Sequence, residues 1–242
     1  MNLMYWEEKL VVPAYICDHT DHLEIWGMAR ITQEAADHHT DALHCGFADM
    51  IKQNYAWVLA RMYYRVSKMP AAGEMVTIRT WSRGCDGLQF YRDFEILNSH
   101  DEVMVAATTV WVVINYANRK LCRMNDFLSD IEHNPRCATD IEVLKRLKVP
   151  AMTDDRYVKY IPVEQSMIDH NNHMNNAEYL RVIFDAMADM IDSRDGISFE
   201  INYLQETNLG DKIQLEREVV DKCAYFVLTN AEGTSVTCKV NY

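Results

Sequence analysis

Apolar and polar positions alternate or run together in three segments between Glu74 and Asn115: EMVTIRTWS, LQFYRDFEIL and EVMVAATTVWVVIN. They are rich in Val, Ile, Thr and aromatics, and turn residues part them, so they predict strands. The turns fall at Gly73, at Gly84 to Gly87 and at Asn98 to Asp101. A second set follows near the C-terminus: ISFEINYLQET, KIQLEREVVD, CAYFVLTN and SVTCKVNY, with turns at Asn208 to Asp211 and Ala231 to Gly233. Ahead of it the period changes. Tyr179, Ile183, Ala186, Met187, Met190 and Ile191 recur at helical spacing, and Leu180 and Phe184 widen the stripe. A helix this apolar is buried over much of its surface, as when a sheet wraps around it. Asn175 and Glu178 supply an Asn-x-x-Glu relative of the capping box at its start.

The pattern is duplicated. At an offset of 151 residues, DHTDHLEIWGMARITQEAA (Asp18 to Ala36) lies over DHNNHMNNAEYLRVIFDAM (Asp169 to Met187) without a gap. Asp18 meets Asp169, His19 meets His170, His22 meets His173 and Arg30 meets Arg181. Each half therefore reads as strand, long helix and antiparallel meander. The expected division is a first unit at 1–128, a linker at 129–150 and a second unit at 151–242. The linker is charged, holds Pro135 and Pro150, and has room for a short helix over DIEVLKRLK.

Composition narrows the function. Half of the 242 residues are hydrophobic and the net charge is −12, which suits a folded chain and argues against general nucleic-acid binding. Two basic clusters interrupt the acidity: Arg61, Arg65 and Lys68, then Lys145, Arg146 and Lys148. Both read as solvated surface unless an acidic partner meets them. Seven scattered cysteines without a C-x-x-C pair read as reduced thiols. With no signal-peptide pattern and no apolar run of membrane-spanning length, the expectation is a cytoplasmic protein without a membrane span.

The chemistry concentrates in IDHNNHMNNAEYL, Ile168 to Leu180. An Asn-rich turn before a helix can be turn geometry alone. The two copies differ there, however. Thr20 stands where the second copy has Asn171, and Glu24 and Ile25 stand where it has Asn175 and Asn176. A helix N-terminus offers unpaired N–H groups that stabilise an oxyanion. His173 titrates near neutral pH, Asp169 orients an imidazole or a water, and Asn171 hydrogen-bonds a carbonyl or a water. No G-x-S-x-G elbow is present, so water is the simplest nucleophile. Asp169, His170 and His173 are ligand-type side chains, but there is no H-E-x-x-H and no Cys cluster, and no metal or cofactor is expected.

At these residues the sequence resembles the acyl-acyl carrier protein thioesterase family, whose signature D-x-N-x-H-x-N-N-x-x-Y is matched by Asp169, Asn171, His173, Asn175, Asn176 and Tyr179. The family's later L-E-Y-x-x-E-C segment is similar to INYLQET, Ile201 to Thr207, which puts Glu206 on the catalytic glutamate. QEAADHHTDALHCGF and AWVLARMYYRV look like its N-terminal helix and following strand. The chain departs at Thr207, where plant members carry Cys, so no Cys-His-Asn mechanism can operate there. It departs again at Val182, where the family often has Trp.

The resemblance implies an α+β fold, a tandem double hotdog, each unit a long central helix wrapped by an antiparallel β-sheet. It implies that the C-terminal unit carries catalysis and the N-terminal unit holds the acyl chain. The expected reaction is hydrolysis of fatty acyl-acyl carrier protein, which releases free fatty acid and ends chain elongation. Asn171, His173 and either Glu206 or Asp169 position and deprotonate a water, and backbone amides near Asn175 and Asn176 hold the oxyanion. Trp57, Trp26, Met28 and Ile31 are candidates for shaping the acyl pocket, though each also reads as core. The expected partner is acyl carrier protein, and either basic cluster is a candidate docking surface for it. A homodimer is left open. Plant members carry a transit peptide and this chain shows none, which suggests a bacterial enzyme. Two alternatives stand: a hotdog acyl-CoA thioesterase or hydratase, and a non-enzymatic acyl-chain binder, for which Glu206 has no use.

Overall fold

A computed structural model describes residues 4–123, 128 and 131–242. The chain divides into two compact units, 1–144 and 145–242. Each is a hotdog, a central helix laid on an antiparallel sheet, as the duplicated pattern requires.

The first unit opens with β1 (Trp6–Val11), a 3₁₀ turn (Ala14–Ile16) and the central helix α1 (Ile25–Ala42). A short helix α2 (Phe47–Lys52) leads into β2 (Tyr55–Val66), β3 (Met75–Asp86), β4 (Gln89–Leu97), β5 (Val103–Asn115) and β6 (Leu121–Cys122). The strands are ordered β1-β3-β4-β5-β2, with β6 on β5. The buried stripe of α1 is Ile25, Met28, Ala29, Thr32, Ala35, Ala36 and His39, three and four apart, so one face meets the sheet. Thr32 is buried because its hydroxyl bonds Met28 O and, at 2.7 Å, the Tyr64 hydroxyl of β2. Gly27 is required: a Cβ there would stand 2.9 Å from Ile16 Cβ, so the helix can lie this close to the preceding turn only without one.

The second unit contains β7 (Tyr157–Pro162), a 3₁₀ turn (Gln165–Met167), α3 (Asn176–Asp185), β8 (Ser198–Tyr203), β9 (Lys212–Val220), β10 (Cys223–Asn230) and β11 (Gly233–Asn241). Its sheet runs β8-β11-β10-β9-β7. Its helix is shorter than the apolar stripe predicts. The stripe continues to Ile191, but α3 ends at Asp185 and residues 186–190 form turns. Arg217 of β9 explains the stop: its guanidinium donates to the Ala186 carbonyl and pairs with Asp189 at 2.8 Å, taking the acceptor a further helical turn needs.

The segment expected to be a linker with a short helix is neither helical nor detached up to Leu144. Residues 134–144 lie as an irregular strap on the outer face of the first sheet. Asn134 N–H donates to Ser82 O at 2.8 Å, Trp81 Nε1 to Arg136 O at 2.7 Å and Ala138 N–H to Asp93 Oδ2 at 2.6 Å. Arg136 makes a bidentate pair with the buried Glu95 at 2.6 and 2.9 Å and lies 4.0 Å over the Trp81 ring. Arg83 and Arg61 donate to the carbonyls of Glu142 and Leu144, the acceptors a helix would have used internally. Leu144 is 1% exposed beside Tyr91 and Val110. Burying that side chain contributes about 1.5–3 kcal/mol, more than the helical propensity of a short charged segment. Arg61 and Arg65, read together with Lys68 as one basic cluster, are thus strap ties, with Arg65 on Asp140 at 2.7 Å.

Candidate active site

Two turns, one at the foot of each central helix, share one backbone design. In the second unit Asp169 N–H donates to His173 O at 3.0 Å, Asn172 N–H to Asp169 O at 3.0 Å, and Asn171 N–H to the Asp169 carboxylate at 2.8 Å. In the first, Asp18 N–H donates to His22 O at 2.8 Å, Asp21 N–H to Asp18 O at 3.1 Å, and Thr20 N–H to the Asp18 carboxylate at 2.8 Å. Asn172 and Asp21 both have positive φ, 67° and 59°. Asn and Asp tolerate that left-handed region. The Asp169 carboxylate thus accepts the Asn171 N–H as that of Asp18 accepts the Thr20 N–H.

The anchoring of the turns is duplicated as well. Asn175 N–H donates to Met167 O and Met174 N–H to Thr207 O; their counterparts are Glu24 N–H to Ile16 O and Leu23 N–H to Pro70 O. Thr207 and Pro70 hold equivalent places, so the residues before them, Glu206 and Met69, do too. The difference between the units lies there. His173 Nε2 stands 3.2 Å from Glu206 Oε2, the pair partly exposed. In the first unit His22 has Thr20 at its Nδ1, 2.8 Å from the carbonyl and 3.2 Å from the hydroxyl, and Met69 is 1% exposed. An acid–base pair exists at one turn and its equivalent position holds a thioether at the other.

The helix start behind the turn is well formed. Asn175 is the N-cap, its side-chain oxygen accepting the Ala177 N–H at 2.9 Å. Its own N–H is taken by Met167 O, whereas the Asn176 N–H makes no hydrogen bond among the described residues. Asn176 O accepts from the Tyr203 hydroxyl at 3.0 Å. Asn171 is exposed beside this start.

Tyr179, Thr207 and Asn230 hold the segment that carries Glu206. Tyr179, buried against Tyr203, hydrogen-bonds Thr207, and burial pushes its phenol up to about 12. Asn230 Nδ2 lies 3.3 Å from Glu206 O and 3.4 Å from Thr207 Oγ1. Thr207 is fully buried. The only signal for it in the sequence was its position next to a matched glutamate.

The first unit contains a cavity of about 260 Å³ between the C-terminal half of α1, the open ends of β3 and β4, and Leu128, Ile131 and His133. Leu43, Trp57, Phe90, Trp111, Leu128 and Ile131 supply apolar wall. Trp57 is held by Nε1 to Cys45 O at 2.9 Å and by an edge-on contact with Phe90 at 4.9 Å. Trp26, Met28 and Ile31 do not line it. They sit on the first turns of α1, with Met28 fully buried and Trp26 under Arg30 at 5.4 Å. No helix among the described residues is long and apolar enough to cross a membrane.

Comparison with known proteins agrees with this architecture. Residues 4–131 match the acyl-ACP thioesterase N-terminal domain and residues 151–241 the acyl-ACP thioesterase C-terminal domain. The chain is 27% identical over 224 residues to oleoyl-acyl carrier protein thioesterase 1 of Arabidopsis thaliana, covering 86% of itself and 62% of that protein. It is 28% identical over 183 residues to the palmitoyl-acyl carrier protein thioesterase of Gossypium hirsutum, covering 72% of itself and 43% of that protein. It thus spans less than two thirds of the length of either relative. Among solved structures, an acyl-ACP thioesterase from Bacteroides thetaiotaomicron superposes with a TM-score of 0.87 at 20% identity, over 100% of this chain and 99% of the other. The 12:0-ACP thioesterase of Umbellularia californica gives 0.86 at 20%, over 98% and 96%. These structural likenesses establish the fold. With family matches across both units, the chain belongs to the acyl-ACP thioesterase family.

Proposed function

We propose that this protein hydrolyses the thioester of a fatty acyl chain borne by acyl carrier protein and releases the free fatty acid. The observation that carries the reading is the His173–Glu206 pair, 3.2 Å apart at the foot of α3 and absent from the otherwise matching turn of the first unit. The relatives named above, oleoyl- and palmitoyl-acyl carrier protein thioesterases, support the substrate class.

Glu206 and His173 together orient and deprotonate a water, with the Asn171 amide beside them. Glu206 is the working carboxylate, because it is the one that stands within 3.2 Å of His173 Nε2. Water attacks the acyl carbonyl. Of the two amides expected to hold the oxyanion, that of Asn176 takes this role, since that of Asn175 is bonded to Met167 O. The thiolate leaves readily, its acid having a pKa of roughly 8.5 by analogy with Cys. The cavity of the first unit, with Trp57 in its wall, takes the acyl chain. Lys145, Arg146 and Lys148 are exposed and form the candidate contact for an acidic carrier, whereas Arg61 and Arg65 are occupied by the strap.

The test is release of fatty acid from a panel of acyl-carrier-protein thioesters by the wild type, His173→Ala and Glu206→Ala. Release by the wild type and near-complete loss in both variants is expected. Binding without release would leave an acyl-chain binder, and equal release from acyl-CoA would move the substrate to coenzyme A thioesters.

A further inference from the structure

The stretch that carries Glu206 has a twin in the first unit. Leu204 N–H and Gln205 N–H both donate to Ser235 O, at 2.8 and 3.2 Å, and Ser67 N–H and Lys68 N–H both donate to Met104 O, at 2.9 and 3.2 Å. At the far end Thr207 O and Pro70 O accept the amides of Met174 and Leu23, each at 2.8 Å. The backbones from 203 to 207 and from 66 to 70 therefore correspond residue for residue. Their flanking side chains differ. Tyr203 stands where the first unit has Val66, and on the central helix Tyr179 stands where it has Met28, both of these fully buried. The unit with the acid–base pair has a phenol at each place, and the other unit has neither.

Both phenols tie the stretch to α3. The Tyr203 hydroxyl donates to Asn176 O at 3.0 Å, and Tyr179 hydrogen-bonds Thr207. Their rings meet edge-on, with centroids 5.8 Å apart. Glu206 thus lies between two ties to the helix. Every group beside the free Asn176 N–H is engaged. Asn175 O accepts the Glu178 N–H at 2.9 Å, Asn175 Oδ1 accepts the Ala177 N–H at 2.9 Å, and Asn176 O accepts the Tyr203 hydroxyl. The first two bonds are internal to the helix start. The third comes from β8, the strand that leads to Glu206.

We propose that Tyr203 is a positioning residue for the hydrolysis: through Asn176 O its hydroxyl fixes the Asn176 amide relative to the Glu206 carboxylate. This rests on the hydrolase reading. Attack needs the carbonyl oxygen at the amide while the water is held by Glu206 and His173. The spacing of amide and carboxylate is therefore felt most in the transition state, when the oxygen takes on negative charge. Tyr203 itself touches no reacting atom. In the first unit no such spacing has to be kept, and Val66 suffices.

Tyr203→Phe deletes one oxygen and opens no cavity, and melting temperatures verify folding. Two quantities are measured on the full chain: turnover of a carrier-bound fatty acyl thioester across pH, and NMR relaxation of the Asn175 and Asn176 backbone amides without substrate. In the variant kcat should fall by about tenfold to a hundredfold, the cost of a small misplacement. KM and the pKa values of the rate profile should stay in place, because Glu206 and His173 keep their own contact. The Asn176 amide should lose order, and the Asn175 amide, held by Met167 O, should not. An Asn176 amide equally ordered in folded Tyr203→Phe and wild type overturns the inference. So does a loss of activity confined to KM. A wild-type Asn176 amide that is already disordered overturns it even where Tyr203→Phe does not fold. No turnover by the wild type, with Asn176 loosened in the variant, defeats the hydrolase reading and leaves the tie standing.

Discussion

Met69 and Glu206 occupy the same place in the two halves of the chain: each precedes the carbonyl that accepts the second-last amide before the central helix, from Leu23 in one unit and Met174 in the other. One half has a carboxylate 3.2 Å from an imidazole and the other has a buried thioether. The comparison narrows the chemistry, because the turn backbone and its anchors are shared.

Glu206→Gln and His173→Ala should each lower kcat by about 10²–10⁴, the usual contribution of a positioned acid or base. The double variant should lose little more than either single one, since the two groups act as a unit. Both residues are partly exposed, so melting should change little. Full losses multiplied together in the double variant would show that the pair does not act jointly.

Asp18→Ala should cost more stability than Asp169→Ala, since Asp18 Oδ1 accepts from the Thr20 N–H, the Thr20 hydroxyl and the His22 N–H and Asp169 from the Asn171 N–H, each such bond contributing about 0.5–1.5 kcal/mol. Asp169→Ala should retain far more turnover than Glu206→Gln once protein is compared at equal folded concentration. An activity loss in Asp169→Ala equal to that of Glu206→Gln would assign base chemistry to Asp169 instead. Chemical denaturation of the four proteins, followed by steady-state kinetics, decides it.

Tyr179→Phe removes the hydrogen bond to Thr207 without opening a cavity. It should cost about 1 kcal/mol of stability. The turnover loss should be smaller than that of Glu206→Gln, because Thr207 O still holds Met174 N–H at 2.8 Å. Turnover as low as that of Glu206→Gln would mean that the phenol acts directly on substrate.

Local pattern carried much of this. The period of two in the meanders, the change to helical spacing at Tyr179 and the doubled Asp-x-x-x-His turn are all properties of neighbouring residues, so they were legible in the sequence. The spacing from Asp169 to Asn176 also marked the site. Ties between distant residues were not legible. Arg61 reaches Leu144 from 83 residues away, and that bond with its neighbours turned an expected helix into a strap. Arg217 ends α3 from 31 residues away. A carboxylate near a histidine has the same signature in sequence whether it serves a water or a backbone amide, so Asp169 and Glu206 were not told apart there; in the structure Glu206 faces the His173 ring and Asp169 accepts the Asn171 N–H.

Asp93 makes the stability of the first unit depend on pH in a particular direction. The carboxyl is fully buried, and desolvation outweighs the favourable groups that face it: the Ala138 N–H and Cys137 on the strap, Arg83 on β3 and Thr108 on β5. Its pKa is raised from 3.8 to about 6. A carboxyl whose folded pKa lies above its unfolded value binds its proton more tightly in the folded chain. The stabilisation is therefore complete below the unfolded pKa, near 4, and is lost as pH rises through about 6. The size over that window is roughly 3 kcal/mol. Asp93→Asn cannot titrate, so the difference in unfolding free energy between wild type and Asp93→Asn should move in favour of wild type as pH falls from about 7 to 4. Urea titrations at stepped pH measure that difference directly, and the other carboxylates of the chain cancel in it. Parallel curves across the window would place the pKa of Asp93 at its ordinary value. A difference of opposite slope would mean that Arg83 and the Ala138 amide dominate over burial.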